Sequence, residues 1–128
     1  MQKILTLTCA ALIFTLSAFS PLKGLDDVIN ALRAGNATEM AKYIDDNVEI
    51  SLPDKTGSYS RAQSIVILQD FFNNNGVKGF EVKHKGDNGD NQFVIGTLQT
   101  RAGSYRTTVF MKSKNGRQLV KEIRFQSS

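Results

Sequence analysis

Residues 59–76, YSRAQSIVILQDFFNNNG, decide the fold, because they read as one helix with a defined start, an apolar body and a defined stop. Ser60 and Gln63 form an S-x-x-Q capping box, in which each side chain satisfies a backbone N–H that the helix start leaves orphaned. Asn73, Asn74, Asn75 and Gly76 supply the exit, since asparagine and glycine tolerate the left-handed conformation that ends helices. Between the two ends, Ala62, Ile65, Val66, Ile67, Leu68, Phe71 and Phe72 cover far more than a one-third stripe. A helix so apolar needs neighbours on more than one side, which makes it the expected centre of a core.

On the N-terminal side of that helix the pattern gives two more. Ser20-Pro21 opens one, with serine as cap and proline at the first helical position, and Leu22, Leu25, Val28, Ile29 and Leu32 form its apolar stripe. Gly35 ends it, and Asn36 with Glu39 starts a second, whose inner face is Met40, Tyr43 and Ile44. Asp45-Asp46-Asn47 reads as a turn into a half-buried strand, where Val48, Ile50 and Leu52 alternate with Glu49 and Ser51. Pro53 to Gly57 turns the chain, and Ser58-Tyr59 pairs back before the central helix begins.

After Gly76 the period changes from 3.6 to 2, and four strand patterns follow in an antiparallel meander. Phe80, Val82 and His84 share one face of the first strand, opposite Glu81, Lys83 and Lys85. The second, Phe93 to Gln99, is apolar on both faces and so is expected to be central. The third places Tyr105, Val109 and Met111 on one face and Phe110 on the other. Asn115-Gly116 between two strand patterns is a strong hairpin signal, and Leu119, Ile123 and Phe125 then face one way, with Val120 out of phase.

The 128 residues suffice for one domain, and a 41% hydrophobic, 22% charged composition is that of an ordinary globular chain. Met1 to Lys3 is a short positive start followed by an apolar run to Phe19, so residues 1–20 read as a secretory signal peptide, cut between 18 and 21, with residues 21–128 as the single mature domain. The expected location is therefore secreted or periplasmic. The apolar run is shorter than the roughly 20 residues of a spanning helix, which argues against permanent membrane insertion. Cys9, the only cysteine, lies inside that run, so the mature chain has no thiol for disulfides, metal or catalysis. The net charge of +4 is a small excess, concentrated in the C-terminal half, and together with export it argues against a nucleic-acid partner.

Helix, helix, short strand pair, helix and four long antiparallel strands is an element order that resembles the NTF2-like, or cystatin-like, superfamily over nearly all of the mature chain. Local features share the resemblance: the Leu32-Arg33-Ala34-Gly35-Asn36 corner, the Asp45-Asp46-Asn47 entry to a strand, the Phe71-Phe72 pair and the final strand Leu119 to Phe125. More closely, the chain is similar to the small secreted Bacteroidetes proteins of the DUF4783 family. The resemblance implies an α+β cone: three N-terminal helices packed on a curved antiparallel sheet of four long strands plus a short hairpin, with a cavity. Superfamily members use that cavity for isomerisation, dehydration, small-molecule binding or subunit contact, so fold alone does not choose a function.

The residues themselves offer little chemistry. His84 is the only histidine, in phase with Phe80 and Val82, and no carboxylate shares its register. Asp45, Asp46 and Asp70 are the nearest candidate partners. Asp87 and Asp90 in GDNGDN lack the twelve-residue spacing and terminal glutamate of a calcium loop, so a plain hairpin loop, and no metal or cofactor, is expected. A ligand-binding wall at the cone's mouth is expected from Tyr59, Phe71, Phe72, Phe93 and Tyr105, apolar with two hydroxyls, which suits a small apolar or amphipathic molecule. The resulting reading is an exported, non-catalytic binding or interaction module. The rival classes are an isomerase or lyase with an acidic or histidine base in the cavity, and a structural homodimer with no ligand.

Overall fold

The computed structural model describes residues 23–128. The signal-peptide reading of residues 1–20, Cys9 and the Ser20-Pro21 helix start lie outside the described residues. In chain order the elements are α1 (Lys23–Ala34), α2 (Ala37–Ala41), β1 (Ile44–Leu52), β2 (Lys55–Ser60), α3 (Arg61–Asn75), β3 (Val77–Asp87), β4 (Asn91–Thr100), β5 (Gly103–Lys114) and β6 (Arg117–Ser127).

The central helix is α3, and its ends are built as the sequence dictates. Ser60 Oγ accepts from the Gln63 amide at 3.2 Å, while the Ser60 amide donates to Gln63 Oε1 at 3.0 Å. Gly76 closes the helix at φ 71°, its amide donating to the Phe72 carbonyl at 2.9 Å. The buried stripe is narrower than the composition suggests: Ser64, Leu68, Phe71 and Phe72 are buried, whereas Val66 is 56% exposed. Leu68, Phe71 and Phe72 belong to one core cluster with Leu25, Val28 and Leu32 of α1 and the inner-face residues Val94, Leu98, Val109, Met111, Ile123 and Phe125 of the strands.

The strands form one sheet in the order β2-β1-β6-β5-β4-β3. Four long strands and a hairpin are present as expected, but the hairpin joins the meander by a parallel pairing of β1 with β6, so the sheet is mixed. Asp45-Asp46-Asn47 is part of β1 rather than a turn. The turn falls earlier, at Lys42-Tyr43. Asn115 and Gly116 take φ of 53° and 78°, both left-handed as a two-residue hairpin of this kind requires.

Three bulges interrupt the meander: one at Lys78 near the start of β3, and two further on that decide which residues face the core. On β3, Val82 opposes Gly96 and His84 opposes Ile95, so Lys83 is an extra residue and everything after it changes face. His84 is accordingly exposed beside Ile95 on the outer face, not in line with Phe80 on the inner one. On β6, Phe110 opposes Glu122 and Met111 opposes Val120, so Lys121 is extra. Val120 therefore enters the core and Leu119 pairs with Lys112 on the other face, the reverse of the expected phase. Curvature is helped at Gly96, where a Cβ would stand 2.3 Å from the Glu81 carbonyl and 2.6 Å from the Phe80 ring.

The parallel junction is tied by a buried carboxylate. Asp45 is only 4% exposed. It accepts from Lys121 Nζ at 2.9 Å, from Lys114 Nζ at 3.0 Å and from the Asp46 amide at 2.7 Å. Arg61, the first residue of α3, adds a bond from Nε to the Ile44 carbonyl at 2.9 Å. The bond from Lys121 holds the Asp45 carboxyl well below the usual carboxylate range, against the opposing pull of burial.

Replacing Asp45 by alanine is expected to cost about 1–3 kcal/mol in urea denaturation, below the cost of breaking a fully buried pair, because Lys114 and Lys121 are half exposed and regain water. A depressed folded-state value means that the contribution is complete above the unfolded value of about 4 and is lost as pH falls through the lower folded value. Asp45→Asn should therefore flatten the acid limb of the stability profile below about pH 4 while leaving its neutral shape unchanged.

Candidate functional site at the mouth of the cone

Four aromatic rings meet where α3 ends. Phe71 lies 4.5 Å from Phe125, 5.2 Å from Tyr105 and 6.2 Å from Phe72, centroid to centroid, and Phe72 meets Phe125 edge-on at 6.0 Å. These are the tilted and edge arrangements that ring quadrupoles favour. Phe71, Phe72 and Phe125 are 8%, 2% and 1% exposed, so they fill the interior of the cone rather than line a void. Tyr105 Oη donates to Asn75 Oδ1 at 2.7 Å, and Asn75 Nδ2 donates to the Phe71 carbonyl at 2.8 Å, which ties the Tyr105 ring to the last turn of α3.

Above this plug is an open cleft of about 400 Å³. The β1–β2 hairpin contributes Leu52, Pro53, Asp54 and Lys55, α3 contributes Ile67, Asp70, Phe71, Asn74 and Asn75, and β5 contributes Tyr105. A second cleft of about 410 Å³ lies between the hairpin tip and the end of β6, with Ser51, Thr56, Arg124 and Gln126 around it.

Of the five residues expected at the mouth, Phe71 and Tyr105 line the first cleft and Phe72 packs beneath them. Tyr59 belongs to β2 and not to the helix start, its ring lying over Gly57, where a Cβ would come within 2.8 Å of the hydroxyl. Phe93 is on the opposite face of the sheet, 6.5 Å from Phe110, because the inward residues of β4 are Val94 and Leu98. The structure adds Phe125 and Asn75, whose signals were the phase of the last strand and the asparagine run at the helix exit.

The remaining candidates do other work. Asp87 accepts from the Gly89 amide at 2.8 Å and from Gln92 Nε2 at 3.2 Å, which makes it a loop-shaping residue. Among the described residues no three His, Cys, Asp or Glu side chains are grouped to hold a metal ion. Tyr43 donates its hydroxyl to Asp27 in a hollow between α1 and α2, and that bond, with burial, pushes its pKa up to about 12. It remains a neutral donor committed to one carboxylate.

The sequence profile of the family described as "Domain of unknown function (DUF4783)" matches residues 25–126. The chain belongs to the DUF4783 family. Among solved structures, a DUF4783 protein from Bacteroides ovatus is 32% identical, with 80% of this chain and 93% of that one covered at a TM-score of 0.77. Another from Bacteroides uniformis is 29% identical over 80% and 95% at a TM-score of 0.78. An NTF2-like protein of unknown function from Cytophaga hutchinsonii, 11% identical over 86% and 91% at a TM-score of 0.61, shares the fold. No curated protein matches the chain. The family and the NTF2-like α+β fold read from the element order are thus both established.

A filled DUF4783 cone predicts a steep cost for truncating the plug. Phe72→Ala should lose about 3–5 kcal/mol by urea denaturation, as for any large core aromatic. Tyr105→Phe, which removes only the bond to Asn75, should lose about 1 kcal/mol. A loss below about 1 kcal/mol at Phe72 would mean that the ring faces empty space.

Proposed function

We propose that this DUF4783 protein is an exported, non-catalytic interaction module that binds at the surface of the cone's mouth and not inside it. The observation that carries the reading is the packed interior, where Phe71, Phe72 and Phe125 occupy the space a small molecule would need. Acid–base catalysis asks for two groups that face a bound substrate within hydrogen-bond reach. Among the described residues the groups with displaced protonation, Asp45, Tyr43 and Lys114, lie away from the plug and are each engaged by a neighbour. The 400 Å³ cleft combines an apolar floor of Ile67 and Phe71 with a polar rim, a composition suited to an amphipathic ligand or side chain. Export rests on the signal-like segment of residues 1–20.

Native mass spectrometry of the protein purified from its own source tests these points together. The expected species begins between Phe19 and Leu22 and carries no small molecule. A stoichiometric ligand retained through desalting would move binding into the interior and overturn the surface reading, and an intact Met1 on a cytosolic product would overturn export.

A second reading, a homodimer through the outer sheet face, is favoured by Phe110, which is 41% exposed beside Phe93. It expects a dimer in the same spectrum that Phe110→Lys converts to monomer. A monomer in the unmodified protein would dismiss it.

A further inference from the structure

The sheet has two open edges, and they are built differently. On β3, Lys78 and Lys83 have no partner residue on β4, and Lys78, Lys83 and Lys85 are all exposed. Bulges and edge lysines are devices by which sheets refuse a further strand. On β2 the register to β1 runs unbroken from Lys55 opposite Leu52 to Ser60 opposite Asn47, and its exposed side chains beyond Lys55 are only Thr56 and Ser58. As the last strand in the order, β2 presents its outward N–H and C=O groups to solvent.

The two clefts flank this same hairpin, one toward α3 and one toward β6. Asp54 and Asp70 stand in the α3 cleft, and neither has an ion-pair partner among the described residues. The charge of the chain is polarised in the same sense: residues 23–76 hold eight Asp and Glu against five Lys and Arg, whereas residues 77–128 hold four against ten.

We propose that β2 accepts an extended segment of another polypeptide as a seventh strand, with a long cationic side chain of that segment in the cleft between the hairpin tip and α3. The proposal rests on the surface-binding reading above. Main-chain bonds to β2 supply affinity and the cleft supplies selection, the usual division of labour in strand addition. A lysine or arginine stem lies along Ile67 and Phe71 while its head reaches Asp54 or Asp70. A second copy of the chain is a poorer occupant, because the six residues of β2 fall far short of the roughly 20–30 residues a side of a stable interface.

The test is an amide NMR titration of the full mature chain with a blocked octapeptide alternating threonine and lysine, and with the same peptide carrying glutamate for lysine. Amides of residues 55–60 should shift and gain exchange protection with the lysine peptide and not with the glutamate peptide. Ser58→Lys, which guards the edge, should weaken binding about tenfold. Asp70→Asn should weaken it about threefold without altering thermal stability. Equal response to both peptides, no response at residues 55–60, or protection there that rises with protein concentration in the absence of peptide would each overturn the proposal. None of these outcomes produces the retained ligand that would overturn the surface reading itself.

Discussion

The contact on which the molecule depends is Phe71 against Phe125, two rings 4.5 Å apart at the point where the central helix crosses the last strand. It fixes the height of α3 over the sheet, and the helix end is then tied down in turn. The Arg101 amide donates to the Gly76 carbonyl at 2.9 Å and the Ala102 amide to the Asn75 carbonyl at 3.2 Å, so the β4–β5 turn supplies partners for carbonyls that a helix terminus leaves open. Asn75 serves the same joint with its side chain, receiving Tyr105 and donating to Phe71. A cone assembled this way has its inside closed by the interaction that holds it together.

How much of this was legible in the sequence follows from the range of each determinant. The Ser60–Gln63 box, the Gly76 exit and the Asn115-Gly116 hairpin are decided within four residues, and each forms as read. The bulges at Lys83 and Lys121 are decided by the partner strand, which a single strand's alternation does not contain. Simple alternation therefore puts His84 and Leu119 on the core face and Val120 off it, the reverse of where the bulges set them. Phe93 belongs to the same class, since a strand apolar on both sides does not say which side faces in until its register is set.

Asp45 is the extreme case. An acidic pair followed by asparagine has the composition of a turn, and only Lys114 and Lys121, 69 and 76 residues further on, make a buried carboxylate tenable there. The bulge at Lys121 is the local irregularity that frees its side chain from the alternation and aims it at β1. Within the candidate site, the ring pair on α3 was visible from its spacing, whereas the cleft depends on where the hairpin tip comes to rest beside the helix.

The parallel pairing of β1 with β6 sets the order in which the architecture can be completed. It joins Ile44 to Val120 and Ile50 to Ile123, while every other strand pairing links neighbours in the chain. Closing so long a loop costs chain entropy that no local contact repays in advance, so this junction belongs to the slow, non-local part of folding. Until it forms, β6 is itself a bare edge running the length of the meander, and the β1–β2 hairpin is the piece that retires it.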